Sequence, residues 1–131
     1  MTDLEVTFGG CSDRGIKAEN EDAFAAFQPA VRVRRTKGVV AVVADGVSSS
    51  PGAQQASQTA VTQFIEDYLA SPETWSIKTA GARVINALNR WLYHHSRAEA
   101  AMLTTFSALI IRSNSAHILH VGDCRIARWR D

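Results

Sequence analysis

The sequence predicts an α+β fold in which antiparallel β-strands pack with a pair of α-helices. Apolar segments with strand character lie near both ends of the chain, and two long segments with helical periodicity lie between them. Helices segregated to one side of an antiparallel sheet are typical of this fold class. The 131 residues contain no internal repeat, linker or low-complexity tract, so they are interpreted as at most one domain.

Three segments in the first half of the chain have strand character. Residues 4–8 (LEVTF) alternate apolar and polar side chains, which predicts a half-buried strand. Residues 22–29 (DAFAAFQP) predict a strand closed by Pro29, and residues 38–45 (GVVAVVAD) predict a strand covered on both faces. The basic stretch VRVRRTKG between them has two open interpretations: a solvated turn between strands, or a dock for an acidic or phosphorylated partner.

The middle of the chain predicts two helices, and the last third predicts a β-hairpin. Residues 53–70 carry apolar residues at helical spacing, and SPETW then predicts a helix start with Ser71 as N-cap. Two buried-strand segments flank the turn SNS, which indicates a hairpin. Its second strand is interrupted at Gly122–Asp123 and is expected to resume beyond them.

Composition and charge exclude several classes of partner. The net charge is +1 with 21% charged residues, which gives no reason to expect nucleic acid or an anionic membrane. No apolar run approaches the ~18 residues of a membrane span, and the first ten residues do not resemble a signal peptide. Cys11 and Cys124 have no metal-type spacing. We therefore expect a cytoplasmic protein with reduced thiols and no nucleic-acid or membrane partner.

Acidic residues stand at the ends of three apolar strands. They are Glu21 and Asp22, then Asp45, and finally Asp123. Each could cap a turn, since Asp-Gly is a common turn dipeptide. Converging carboxylates would instead form a site for Mg²⁺ or Mn²⁺, which prefer oxygen ligands. Gly46 fits this second interpretation because a residue without Cβ lets its carbonyl come close to an ion.

Three blocks of the sequence, in this order, resemble the metal-dependent protein serine/threonine phosphatases (the type 2C, or PPM, family). They are SDRGIKAENEDAF, VVADGVSSSPGAQQAS and TTFSALII…AHILHVGDCRIAR, and they extend over nearly the whole chain. The bacterial branch is the most similar, particularly the phosphatase domains that precede a kinase domain. The resemblance implies an incomplete form of the four-layer α-β-β-α sandwich, of which residues 1–131 would be the N-terminal part.

The resemblance also implies an activity and a set of site residues. The activity is hydrolysis of phosphoserine and phosphothreonine in protein substrates, through two or three Mn²⁺ or Mg²⁺ ions and a bridging water. Asp22 and Asp45 would act in catalysis through that water. Asp22, Asp45 and the Gly46 carbonyl would bind metal, and Asp123 would help to hold a further, weaker ion. Glu21 and Ser48 are additional candidates.

The sequence departs from the family pattern at two places in these blocks. Lys17 stands where the family usually has a phosphate-binding arginine, so weaker binding of substrate phosphate is expected, because an ammonium cannot make the bidentate contact. Ser48, Ser49 and Ser50 replace glycines after Asp-Gly. Their hydroxyls either contact substrate or metal-bound water, or form a polar turn that leads into the helix.

A third departure is the absence of the family's two later metal-binding aspartates. This chain alone is therefore expected to bind Mn²⁺ or Mg²⁺ weakly, to show little phosphatase activity, and to self-associate through uncovered sheet edges. A kinase domain in the full-length protein is a further expectation. Two alternatives stay open. One is a non-catalytic phosphatase-like module that binds a phosphoprotein or regulatory partner, and the other is an α+β domain whose acidic residues only cap strands.

Overall fold

The computed structural model describes residues 3–48, 50–97 and 101–131, and it confirms the α+β fold class. Strands and helices follow one another along the chain in a mixed order. The elements are β1 (Asp22–Phe27), α1 (Val31–Lys37), β2 (Val39–Asp45), α2 (Ala53–Ala70), α3 (Ile77–His95), β3 (Phe106–Arg112) and β4 (Ser115–Val121). No helix in the described ranges combines the length and the apolarity that crossing a membrane requires.

The strands form a four-stranded antiparallel sheet in the order β1-β2-β3-β4. The predicted hairpin is confirmed: β3 and β4 pair along their full length, and Arg112 lies opposite Ser115 across a two-residue turn. In the β1–β2 pair, Asp22 lies opposite Asp45. The sheet therefore brings together the acidic ends of two strands that are separated by α1.

One face of the sheet packs against α2 and α3 and forms the core. Val40, Val42 and Ala44 of β2 are almost completely buried on this face. Phe64 of α2 has no exposed surface, and its ring packs edge-on against Phe106 of β3 with centroids 4.9 Å apart. Burial of these side chains is the main force that fixes which face of each strand points toward the helices.

The other face, called here the outer face, is partly exposed. Phe24, Val43 and Ile118 are 47%, 42% and 56% exposed on it. The prediction that β2 is covered on both faces is therefore wrong for its second half, because Val43 and Asp45 are exposed on the outer face, whereas Val39 at the start of the strand is buried. A groove of about 490 Å³ runs over this face and includes Leu109 and Ile126 in its lining. Self-association through such surfaces stays a prediction.

Residues 4–8 do not form the predicted strand; they run outside the sheet. The reason is that side chains provide the hydrogen bonds that a neighbouring strand would otherwise provide. The Val6 N–H donates to Gln28 Oε1 at 2.7 Å, and the guanidinium of Arg34 donates to the Leu4 carbonyl at 2.8 Å.

The basic stretch VRVRRTKG is a helix, α1, and not the turn that was one of its two interpretations. The Arg35 guanidinium donates to both carboxylate oxygens of Asp3, at 2.8 and 3.1 Å. An acidic side chain of the same chain thus takes the place at Arg35 that an acidic partner would need. Lys37 is 4% exposed and donates to the Ser71 hydroxyl. The basic side chains of α1 thus hold the N-terminal segment and the end of α2.

Two further local predictions are wrong. SPETW does not start a helix: Ser71 is the C-cap of α2, and α3 is capped by Ser76, whose side chain accepts the Thr79 N–H at 3.1 Å. The Ser71 hydroxyl is already bonded to the Tyr68 carbonyl. Residues 124–131 contain no strand, so the last strand ends before Gly122 and does not resume.

Tyr68 provides a test of the core. Its hydroxyl donates to the Lys37 carbonyl at 2.7 Å, and burial raises its pKa to about 12. We expect Tyr68→Phe to lower the free energy of unfolding by about 1–2 kcal/mol, because it leaves a buried carbonyl without a donor. In the wild type, the stability due to this phenol should be complete below pH 10 and lost as the pH rises toward 12, because the unfolded chain ionises first.

Urea denaturation measures both effects, and Tyr93→Phe is the matched control because Tyr93 is 78% exposed. The control should change the free energy of unfolding by less than about 0.5 kcal/mol. Equal effects of the two substitutions would contradict the assignment of the Tyr68 hydrogen bond.

Candidate metal and phosphate site

Asp22 and Asp45 lie side by side at one end of the sheet. Asp22 begins β1, Asp45 ends β2, and the register makes them cross-strand partners. Directly opposite residues of an antiparallel pair have Cβ atoms about 4.5–5.5 Å apart on the same face. Both alternate with the core-facing alanines Ala23 and Ala44, so the two carboxylates lie on the outer face.

The electrostatics of Asp45 indicate an excess of negative charge. Partial burial is the largest factor that raises the pKa of Asp45. Asp22 raises it further, because it can accept a hydrogen bond from the protonated Asp45 carboxyl and repels the ionised one. Lys17 opposes this shift, and Asp123 adds to it. The residue as a whole is exposed, so the shift is moderated by solvent. The structure thus provides acceptor oxygens without a full counter-charge.

Gly46, the predicted carbonyl ligand, has a packing role that the sequence did not reveal. A Cβ at this position would collide with the backbone carbonyl and Cβ of Ala53, the first residue of α2. The Gly46 N–H donates to the Glu21 carbonyl at 2.9 Å. Close approach of α2 therefore explains the glycine without an ion, and metal binding by its carbonyl stays a prediction.

Lys17 lies at the edge of this acidic pair. Its Nζ donates to Ser48 Oγ at 3.0 Å and lies 3.8 Å from the Glu21 carboxylate. The Lys17 side chain is 53% exposed, whereas that of Glu21 is 14% exposed. Glu21 is thus placed beside the ammonium, and Ser48 orients that ammonium.

Arg14 does not take the place of Lys17. Its guanidinium donates to the carbonyls of Lys17 and Ala18 at 3.1 and 3.3 Å, which ties it to the backbone of the same loop. Asp13 accepts the Gly15 N–H at 2.9 Å in this turn. The loop therefore presents one ammonium, that of Lys17, toward Ser48.

The serines after Asp-Gly have different roles. Ser50 is 7% exposed, and its hydroxyl donates to the Ala101 carbonyl, so it belongs to the turn that leads into α2. Ser48 is exposed and bonded to Lys17. The predicted contact of Ser49 lies outside the described residues. The interpretation of these serines as a polar turn that leads into the helix is correct for Ser50. The other interpretation, contact with substrate or metal-bound water, stays a prediction for Ser48.

Asp123 is exposed and follows β4 and Gly122, which has a φ of 102°. Its charge reaches Asp45, since it contributes to the raised pKa of that carboxyl. Among the residues that the structure describes, no three His, Cys, Asp or Glu side chains gather closely enough to hold a metal ion. The structure therefore brings two of the predicted aspartates together and places the third within electrostatic range.

Sequence reasoning did not select Thr105 as a site residue. The Asp45 N–H donates to Thr105 Oγ1 at 3.0 Å, and the Thr105 N–H donates to the Asp45 carbonyl at 2.8 Å. The local sequence offers one indication of this role, the pair of threonines directly before β3. Threonine hydroxyls can replace backbone groups as hydrogen-bond partners.

Comparison with known protein families gives a match over most of the chain. The family model described as protein phosphatase 2C matches residues 10–131, which include all three sequence blocks of the candidate site. No curated protein matches the chain significantly.

The facing aspartates should reduce the stability of the metal-free chain at neutral pH. We expect Asp45→Asn to raise the free energy of unfolding at pH 7 by about 0.5 kcal/mol, since like charges directly opposite on neighbouring strands destabilise a sheet. The raised pKa means that Asp45 favours folding below about pH 3.8 and that this contribution is lost as the pH rises through the folded pKa. The difference between variant and wild type should therefore shrink toward pH 4.

Urea denaturation in a chelating buffer at pH 7 and pH 4 measures this difference. Asp131→Asn is the control because Asp131 is exposed at the last position of the chain. A destabilised Asp45→Asn variant at pH 7 would show that the two carboxylates do not repel each other.

Proposed function

The chain belongs to the protein phosphatase 2C family, and we propose that it is a metal-dependent phosphatase domain acting on phosphoserine and phosphothreonine of protein substrates. The observation that carries this proposal is the pair of facing carboxylates, Asp22 and Asp45, with the ammonium of Lys17 nearby. In such a site the carboxylate oxygens could bind a metal ion, and the lysine ammonium could bind a phosphate.

The donor set fits a hard divalent cation. Carboxylate oxygens are the ligands that Mn²⁺ and Mg²⁺ prefer, and the excess negative charge at Asp45 would be relieved by a bound cation. We propose that Asp22, Asp45 and the Gly46 carbonyl hold such ions and that Asp123 contributes to a further one. When bound, Mn²⁺ or Mg²⁺ supplies the Lewis acidity that activates water as a nucleophile.

Lys17 is proposed to bind the phosphate of the substrate. An ammonium has three N–H donors, of which one is used by Ser48, so a donor remains for a phosphoryl oxygen. Ser48 and Glu21 restrict where the ammonium lies, which keeps it beside the aspartates. Its compact charge makes a point contact and not the bidentate one of a guanidinium, so phosphate binding through Lys17 is weak.

The small number of metal ligands among the described residues predicts a low activity for this chain. Two facing carboxylates and one carbonyl leave much of an octahedral coordination shell to water. We propose that the isolated 131-residue chain binds these ions weakly and turns over slowly. A non-catalytic module that binds phosphoproteins is the alternative, and it is favoured by the absence of a three-residue ligand cluster among the described residues.

A manganese-dependent assay with a phosphothreonine peptide tests the function. We expect slow turnover that requires Mn²⁺ and falls at least tenfold in Asp45→Asn, since loss of even an outer-shell partner of a metal costs about 10–100-fold. Asp131→Asn should retain wild-type turnover. Turnover that persists in a chelator would contradict the metal-dependent mechanism. Peptide binding without turnover would support the phosphoprotein-binding module.

The role of Lys17 is tested by changing the geometry of its charge. Lys17→Arg should lower the KM for the phosphopeptide by about threefold, because a guanidinium can grip two phosphoryl oxygens. Lys17→Ala should raise the KM by a similar factor while kcat changes less. The same substitutions at Lys78, an exposed lysine on α3, serve as the control. A KM that does not respond to either change at position 17 would exclude Lys17 from phosphate binding.

A further inference from the structure

We propose that Thr105 is a positioning residue that fixes Asp45 relative to Asp123. It would do so with a single side chain that bonds the backbone of Asp45 and contacts both neighbours of Asp123. Thr105 itself does not touch reacting atoms. The consequence for metal binding rests on the proposed function, whereas the structural coupling between the two aspartates does not.

The hydrogen bonding at the end of β2 departs from that of a regular antiparallel ladder. The β2–β3 register runs through Val43 and Ser107, and it places Asp45 level with Thr105. In an antiparallel ladder, a hydrogen-bonded pair exchanges two N–H···O=C bonds. Here one bond is normal, from the Thr105 N–H to the Asp45 carbonyl at 2.8 Å. In the other, the Asp45 N–H donates at 3.0 Å to Thr105 Oγ1 and not to the Thr105 carbonyl.

The backbone groups around this irregular pair still find hydrogen-bond partners. The Thr105 carbonyl accepts the Thr104 hydroxyl at 2.8 Å. Pairing then continues beyond Asp45: Gly46 bridges Thr104, and the Val47 N–H donates to the Leu103 carbonyl at 2.9 Å. Asp45 is therefore held within a paired segment, although it is the last residue of its strand.

Thr105 also contacts the turn that carries Asp123. A Cβ at Gly122 would lie 2.7 Å from Thr105 Cγ2, so the methyl group of Thr105 packs directly against this glycine. On the other side of Asp123, Cys124 Sγ lies 3.0 Å from Thr105 Oγ1. The threonine side chain therefore contacts the residues that precede and follow Asp123.

The two halves of the threonine side chain have separable roles. A hydroxyl has one hydrogen and two lone pairs, so Oγ1 can accept from Asp45 while it donates to the sulfur of Cys124. The methyl group provides the contact with Gly122. Valine would keep the methyl group and lose both hydrogen bonds, whereas serine would keep the hydroxyl and lose the methyl contact.

The separation of two ligands matters because coordination distances are narrow. Metal–oxygen distances for Mg²⁺ and Ca²⁺ are about 2.0–2.6 Å, and functional groups must be held within about 0.5 Å to act together. Among the hydrogen bonds of the described residues, those of Thr105 Oγ1 reach both Asp45 and a neighbour of Asp123. Thr105 is thus the connection through which their spacing is set.

The experiment compares Thr105→Val, Thr105→Ser and the wild-type chain by two measurements. The first is metal-free NMR, which gives amide hydrogen exchange at Asp45 and amide shifts at residues 122–124. The second is Mn²⁺ affinity, from the electron paramagnetic resonance signal of free Mn²⁺. Thr36→Val is the control, since the Thr36 hydroxyl likewise bonds a backbone group, although as a donor, to the Val33 carbonyl at 3.1 Å.

We expect Thr105→Val to speed exchange at Asp45 by about tenfold, to shift residues 122–124, and to weaken Mn²⁺ binding by about tenfold. Thr105→Ser should retain the slow exchange at Asp45 and bind Mn²⁺ within about threefold of wild type. Thr36→Val should change neither measurement. If the valine variant fails to fold, the serine variant decides: protected Asp45 together with shifted residues 122–124 is the expected result.

Two results would overturn the proposal. One is a Thr105→Val variant in which residues 122–124 keep their wild-type shifts, because the aspartates would then not be coupled. The other is unchanged Mn²⁺ affinity in that variant despite a measurable wild-type affinity. A wild-type chain without Mn²⁺ affinity would contradict the proposed function instead, and the NMR shifts would then decide the structural coupling alone.

Discussion

The site depends on the register that places Asp22 directly opposite Asp45. Two like charges in this position destabilise the β1–β2 pair, so the register must be imposed by interactions elsewhere in the strands. Core packing does this: Ala25 of β1 and Val42 of β2 form a cross-strand pair on the face that α2 covers. A shift of one residue would turn that face toward solvent, at a cost well above the repulsion between two exposed carboxylates. The hydrophobic core thereby maintains an electrostatically unfavourable arrangement that a cation can relieve.

Close packing also places the first residue of α2 against the end of β2, next to the acidic pair. Gly46 lets Ala53 approach the end of β2, and Ser50 closes the intervening turn through the Ala101 carbonyl. Since Ser50 is buried and Ser48 is exposed, the turn separates a structural serine from one that faces Lys17. The geometry of the site is therefore determined by backbone proximity as much as by the charged side chains.

Elements with long, regular patterns could be predicted from the sequence, whereas those determined by distant side chains could not. Helix α2 and the β3–β4 hairpin depend on local periodicity and were predicted. Residues 4–8 alternate like a strand, but Gln28 and Arg34 satisfy backbone groups in that segment, and no local pattern reports this. In the site, the facing aspartates followed from acidic strand ends. The role of Thr105 depends on a pairing across 60 positions of the chain, which only the folded register reveals.

The two departures from the family pattern at positions 17 and 48 are physically connected. A lysine ammonium lacks the planar geometry of a guanidinium, so it needs a partner that limits where it lies. The serine that stands in the glycine-rich part of the pattern provides one, since Ser48 Oγ lies 3.0 Å from Lys17 Nζ. A glycine at position 48 has no side chain to accept this bond. Of the two described partners of the ammonium, the Glu21 carboxylate at 3.8 Å would then remain. Lys17 and Ser48 are therefore best understood as one unit, in which the loss of bidentate geometry at one position is partly offset by the hydroxyl gained at the other.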